Sequence, residues 1–310
     1  MKYLKRYAVL LLACLMLGGC AQTPQPAGQG LRVVCTLFPQ YDFARAVAGE
    51  LAQVTLLLPP GVESHSYEPS PQDIIAIHNA DVFLYTGQYM EPWAQRITAA
   101  LPASVRVADV SAGLTLDAEE DDDEEEEEDE SDHAHAFDPH IWTDPTMAAV
   151  MVQNIAAALQ AADPQNAGVY GANAAAYIAK LNALDADIQA AVSKGARRTI
   201  CFGGRFALHY FAKRYGLTYI AAYDSCSSET EPSARAVARI LDTIRAERIP
   251  VIYYEELVEP KVANAIAAET GVTPLLLHSC HNLSAEDMRG GVTYLALMYQ
   301  NLANLKAGLA

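Results

Sequence analysis

The chain has no Cys-x-x-Cys pair, no His-Glu-x-x-His and no Gly-x-Ser-x-Gly. The first absence removes a thiolate zinc knuckle; the other two remove the signatures of metalloproteases and serine hydrolases. A cationic cluster is missing as well. The 21 Lys and Arg are scattered among 38 Asp and Glu, and without a basic face to neutralise phosphates, nucleic acid is excluded as a partner. After residue 20 no uninterrupted apolar run reaches about 18 residues, so the body of the chain carries no membrane-spanning helix. Charge is sparse, at 19% of residues against 51% hydrophobic. That balance allows a sizeable core and excludes wholesale disorder. A length of 310 residues accommodates about two ordinary domains.

The net charge of −17 is a local feature. Glu119 to Glu130 is an unbroken run of 12 acidic residues, followed by Asp132, and the rest of the chain is close to neutral. Such a run reads as a solvated loop, because dense like charge opposes packing. With His133 and His135 beside it, it also reads as a weak, multivalent metal collector. It lacks the glycine turn of a defined calcium loop.

Residues 1–20 read as an export signal. Lys2, Lys5 and Arg6 precede an apolar stretch over 7–17, and Leu17-Gly18-Gly19-Cys20 resembles a bacterial lipobox, in which Cys20 carries lipid. The alternative is an ordinary signal peptide with an incidental cysteine. Residues 21–30, rich in Gln, Pro and Gly, read as a tether. The expected product is an extracytoplasmic body, lipid-anchored to the cell membrane. An exported protein can keep disulfides. Cys35 and Cys201 sit in apolar strand-like runs, whereas Cys226 and Cys280 sit in polar loops and are the expected pair. The competing reading is two free loop thiols.

Short apolar strands alternate with amphipathic helices in both halves, which predicts an α/β fold of parallel βα units. In the first half, strands are expected at 31–37, 54–58 and 81–85, with helices at 41–51, 71–79, 91–101 and 147–162. In the second, strands are expected at 198–202, 218–221, 251–254 and 273–277, with helices at 205–215, 232–246, 261–269 and 292–305. Between them Tyr177, Leu181, Leu184, Ile188 and Val192 mark one face of a long helix. The division expected is a first lobe over 31–165 with an acidic, His-bearing loop at 118–136, a linker helix over 166–196, and a second lobe over 197–310. The ligand cleft belongs between the lobes, beyond the carboxyl ends of the strands.

Six of the eight histidines fall in loops or at element ends: His65, His133, His135, His140, His278 and His281. One loop histidine is ordinarily a surface residue, but a set placed at the mouths of both lobes suits a metal such as Zn2+. His78 reads as surface, and His209 lies in a predicted helix.

Gly61-Val62-Glu63-Ser64-His65-Ser66-Tyr67-Glu68-Pro69-Ser70-Pro71 resembles the histidine loop of the zinc- and manganese-binding subunits of bacterial ABC importers, solute-binding protein family 9 (cluster A-I). Asp138-Pro139-His140-Ile141-Trp142-Thr143-Asp144-Pro145 resembles a second block of that family. The stretches Glu91-Pro92-Trp93, Tyr210 to Leu217 and Glu231-Pro232-Ser233 resemble three more. The acidic insertion before Asp138 is typical of its zinc branch. The resemblance covers roughly residues 31–307, and implies two α/β lobes joined by one rigid helix, with metal held between them and delivered to a membrane permease.

Carried over by position, His65 and His140 match the first two ligands. The third falls on Arg205, which stays protonated and cannot ligate. The fourth falls near His278 or His281. The expected site is therefore His65, His140 and one or both of His278 and His281. His209 is a weaker candidate, and Arg205 is expected to pair with a carboxylate such as Glu68 or Glu231. A set of imidazoles favours Zn2+ over Mn2+. The expected function is capture of zinc by a monomeric, extracytoplasmic ABC-importer component. The alternatives are a surface adhesin or structural lipoprotein with a degraded metal site, and a zinc hydrolase using Glu68 as base.

Overall fold

The computed structural model describes residues 30–118, 137–223 and 232–310. The signal segment, Cys20, the tether, the acidic run, His133, His135, Cys226 and Glu231 lie outside the described residues. Leu31–Ala310 form one compact unit. Its first half runs β1 (Leu31–Cys35), α1 (Phe38–Ala48), β2 (Ala52–Leu56), α2 (Pro71–His78), β3 (Val82–Tyr85), α3 (Pro92–Thr98) and β4 (Arg106–Asp109). Two helices follow, α4 (Pro145–Ala162) and α5 (Ala167–Lys194). The second half runs β5 (Thr199–Phe202), α6 (His209–Tyr215), β6 (Thr218–Ala221), α7 (Ala234–Glu247), β7 (Val251–Tyr254), α8 (Lys261–Thr270), β8 (Thr273–Leu276), α9 (Ala285–Gly290) and α10 (Tyr294–Leu309). Both sheets are wholly parallel and share one plan, β2-β1-β3-β4 and β6-β5-β7-β8. The reversal of strand order falls at β1/β3 in one and β5/β7 in the other, which is where such sheets open a ligand crevice.

The central strands are buried runs, as sheets covered on both faces require: Val33, Val34 and Cys35 in β1, and Ile200, Cys201 and Phe202 in β5. Asp144 caps α4 by accepting the Thr146 N–H, with Pro145 in the first turn. The predicted stripe of the long helix is buried: Tyr177, Leu181, Leu184, Ile188 and Val192 all lie in one core cluster that takes residues from both halves. Helix α5 thus packs against α1 and α4 of the first half and α6 and α10 of the second, rather than crossing between them through solvent. No helix among the described residues is long and apolar enough to cross a membrane.

Two expectations are corrected. The helix expected over 205–215 begins only at His209. Phe206 is drawn off that path, stacking on Tyr219 at 3.8 Å between centroids and meeting Phe202 edge-on at 5.4 Å. Arg205 therefore lies in the loop after β5 and shares no helix face with His209. That loop leaves β5 so close to α8 that a Cβ on Gly203 would sit 2.7 Å from Ala263 Cα, so only glycine fits. The second is the Cys226–Cys280 pairing: Cys226 lies outside the described residues, and Cys280 sits in a buried stretch of its loop. Its thiol is free and wholly buried, and its backbone is left-handed (φ 64°).

Beyond the ends of β1 and β3 lies a buried polar knot. Glu91 Oε2 accepts the Thr86 N–H at 2.8 Å, and Glu91 Oε1 meets the Thr36 hydroxyl. That hydroxyl has a single proton and also faces Gln40 Oε1 at 2.8 Å. A proton on Glu91 resolves the conflict: Glu91 donates to Thr36, which donates to Gln40. Burial pushes the Glu91 carboxyl up to about 7, against the pull of its hydrogen bonds. A carboxyl raised on folding contributes stability that is complete below its unfolded value and is lost as pH rises through the folded one. Glu91→Gln mimics the protonated form. It is expected to match the wild type at pH 5 and to exceed it at pH 8 by on the order of 2 kcal/mol in denaturant melts.

Candidate metal centre

The loops that follow β2, β5, β7 and β8 converge with the segment before α4. They carry His65, Arg205, Glu255 with Glu256, His281 and His140 respectively. The lobes are bonded around this point. Gly61 N–H donates to Leu283 O at 2.8 Å, and the Asn282 amide donates to Pro59 O at 2.9 Å and to Val62 O at 2.8 Å. Trp142 Nε1 donates to Ser279 O at 2.8 Å, and the Tyr210 hydroxyl donates to Asp138 O at 2.7 Å.

His65 Nε2 and His140 Nε2 lie 3.2 Å apart. Two corners of a zinc tetrahedron with Zn–N bonds of about 2.0–2.1 Å are separated by about 3.3 Å, so the pair already has the spacing of two ligands. His140 is wholly buried, and its Nδ1 meets Asp138 Oδ1 at 2.8 Å. The carboxylate accepts a hydrogen bond from Nδ1–H, which keeps the ring proton on Nδ1 and leaves Nε2 bare as a donor to metal. Burial works to raise Asp138, but the adjacent His140 outweighs it and the carboxyl is held low. Burial, reinforced by His140, holds His65 down at about 3, so the ring is neutral near pH 7.

His281 lines the same cavity of about 90 Å³ as His65 and His140. Its Nδ1 contacts the Ser279 hydroxyl, which donates to Glu256 Oε1 at 2.6 Å. Glu256 also accepts the Ser279 N–H at 2.9 Å. The relay from His281 through Ser279 to Glu256 directs the free nitrogen of His281 away from the carboxylate. Burial lowers His281 as it lowers His65, so both rings are neutral bases.

His278 is placed differently. It is 4% exposed, is absent from the cavity lining, and its Nδ1 accepts the Cys280 N–H at 2.9 Å. The expected alternatives for the last loop therefore separate into His281 facing the cavity and His278 propping the loop. His209 is bonded to Asp117 Oδ2 at 3.1 Å and lies outside the cavity. Arg205 pairs with Glu63 Oε2 at 3.1 Å and Glu255 Oε1 at 3.3 Å, not with Glu68, which is exposed. Among the described residues, no three His, Cys, Asp or Glu side chains stand close enough to hold a metal ion without movement. A second cavity of about 550 Å³ adjoins the first and shares Glu63, His65, Arg205 and Glu255 with it.

A family model described as "Zinc-uptake complex component A periplasmic" matches residues 33–308. The chain belongs to this family. It is 37% identical over 284 residues to the high-affinity zinc uptake system protein ZnuA of Bacillus subtilis (strain 168), spanning 91% of this chain and 88% of that one. It is 34% identical over 308 residues to the zinc-binding lipoprotein AdcA of Streptococcus pneumoniae, covering 98% of this chain but 61% of AdcA. Two solved structures superpose well. The metal-dependent lipoprotein YcdH of Bacillus subtilis does so with a TM-score of 0.77 at 33% identity, over 90% of this chain and 99% of that one. The Zn(II)-bound ZnuA-like domain of AdcA does so with a TM-score of 0.75 at 32% identity, again over 90% and 99%. The two-lobed α/β fold with its long helix is thus the fold of this zinc-uptake family. Within this zinc-uptake component, the residues not singled out from the sequence as site residues are Asp138, Glu63, Glu255, Glu256 and Ser279. Asp138 lay in plain view in the Asp-Pro-His block, and Glu255-Glu256 directly follows a strand end, the position where ligand groups collect.

Proposed function

We propose that the chain is the extracytoplasmic zinc-binding component of an ABC importer, with Zn2+ as its cargo, held by His65, His140 and His281 and handed to a membrane permease. The observation that carries this reading is the His65–His140 pair at ligand spacing, backed by Asp138 and buried between the lobes. Imidazole donors suit zinc, whereas manganese prefers carboxylate oxygens. In competition against a colorimetric chelator, the protein is expected to take one zinc and to keep it in about a hundredfold excess of manganese. Equal retention of the two metals would contradict the reading. The lipobox ending at Cys20 supports a lipid-anchored carrier; the mass of the N-terminal peptide from membranes checks the lipid.

The hydrolase alternative needs a general base free to act beside an open metal position. Glu63 and Glu255 are engaged by Arg205, Glu256 by Ser279, and Glu68 is exposed. The adhesin alternative has one point in its favour. The laminin-binding protein Lmb of Streptococcus agalactiae, described as having adhesin and metal-transporting activity, superposes with a TM-score of 0.76 at 31% identity. Laminin binding in a solid-phase assay tests it for this chain, and no binding at micromolar protein would remove it.

A further inference from the structure

Arg205 stands where the family resemblance places a third histidine, and its surroundings indicate what it does instead. The guanidinium reaches Glu63 of the first lobe and Glu255 of the second. Glu63 accepts the His65 backbone N–H through its other oxygen at 3.1 Å, so Arg205 is joined to the histidine loop through one carboxylate. Three carboxylates line the histidine cavity, Glu63, Glu255 and Glu256. Glu256 is committed to Ser279. The two that remain are both held by Arg205, at the junction of the inner and outer cavities.

Arg205 is not needed to dock the lobes. The bonds of Asn282, Gly61, Trp142 and Tyr210 already do so, over a core cluster that runs through both halves. What it adds is a fixed positive charge that neither deprotonates nor ligates. A cation arriving beside His65 meets that charge, together with carboxylates it has already neutralised.

We propose that Arg205 sets the zinc affinity of this site, holding a resident cation in place of a neutral donor and keeping Glu63 and Glu255 from the metal. The proposal rests on the reading of the histidine cavity as a zinc site. It is tested on the full chain by chelator competition with zinc alone. Arg205→Met, which removes the charge at similar length, is expected to tighten zinc binding by about tenfold or more, and Arg205→Lys to stay within about threefold of wild type. Arg205→Gln keeps polar donors without the charge and is expected to tighten binding as Met does, which guards against a folding defect in the Met variant. Adding Glu255→Gln to Arg205→Met is expected to remove most of the gain. One-to-one zinc binding by the wild type, with equal or weaker binding by both the Met and Gln variants, overturns the proposal and leaves the zinc reading intact. Failure of the wild type and every Arg205 variant to bind one zinc overturns the zinc reading itself.

Discussion

Exchanging His281 for asparagine is expected to weaken zinc binding by about a hundredfold or more, while the same exchange at His278 costs less than about tenfold. The two residues are three positions apart, and both were candidates on sequence grounds. The structure separates them. His281 lines the cavity and is backed through Ser279 by Glu256. His278 is buried behind the loop, where Asn301 brackets its backbone at 2.7 Å from both N–H and C=O. Asparagine at 278 can still accept the Cys280 N–H through its side-chain oxygen, so the loop keeps its shape. Asparagine at 281 can still bond Ser279 but presents no nitrogen where Nε2 stood. Chelator competition on the matched pair reads the difference, and comparable losses in both variants would show that the last loop supplies its ligand in another way.

Trp142→Ala is expected to cost about 3–5 kcal/mol of stability, as deletion of a fully buried indole does. It should also weaken zinc binding. Trp142 has no exposed surface and lies two residues after His140, against which its ring packs edge-on at 5.4 Å. Its Nε1–H reaches Ser279 O in the loop that carries His281. One side chain therefore fixes the spacing between an imidazole of each lobe. The Tyr294 hydroxyl donates to the Trp142 carbonyl from the start of α10, so the effect extends to the last helix. Denaturant melts measure the stability loss, and Trp142→Phe separates packing from the hydrogen bond. The phenylalanine variant is expected to keep most of the stability while losing zinc affinity. If its affinity equals that of the wild type, the Trp142–Ser279 bond does not position the site.

Much of this architecture is legible in the residues. The runs at 31–35 and 199–202 are apolar enough to be central parallel strands, and the stripe from Tyr177 to Val192 repeats at helical spacing because it is one buried face. Two elements left no readable signal. β4 reads Arg-Val-Ala-Asp, half polar as an edge strand can be, and α9 has only six residues, too few for periodicity. The start of α6 was misplaced because Phe206 answers to Tyr219 and Phe202 across the sheet rather than to local helix propensity. In the site, His65 and His140 were marked by their sequence blocks. The partners of Arg205 were not: Glu63, 142 residues away, meets it only when the lobes come together, and Glu255, 50 residues away, only when β5 and β7 pair.

The most direct test of a zinc site built between the lobes is a calorimetric zinc titration of the wild type beside His65→Ala and His140→Ala. The account predicts one tight site in the wild type and its loss in either variant. Any weak binding by the acidic run at 119–130 should be unchanged. Tight one-to-one binding that survives both substitutions would place the metal elsewhere and contradict the account.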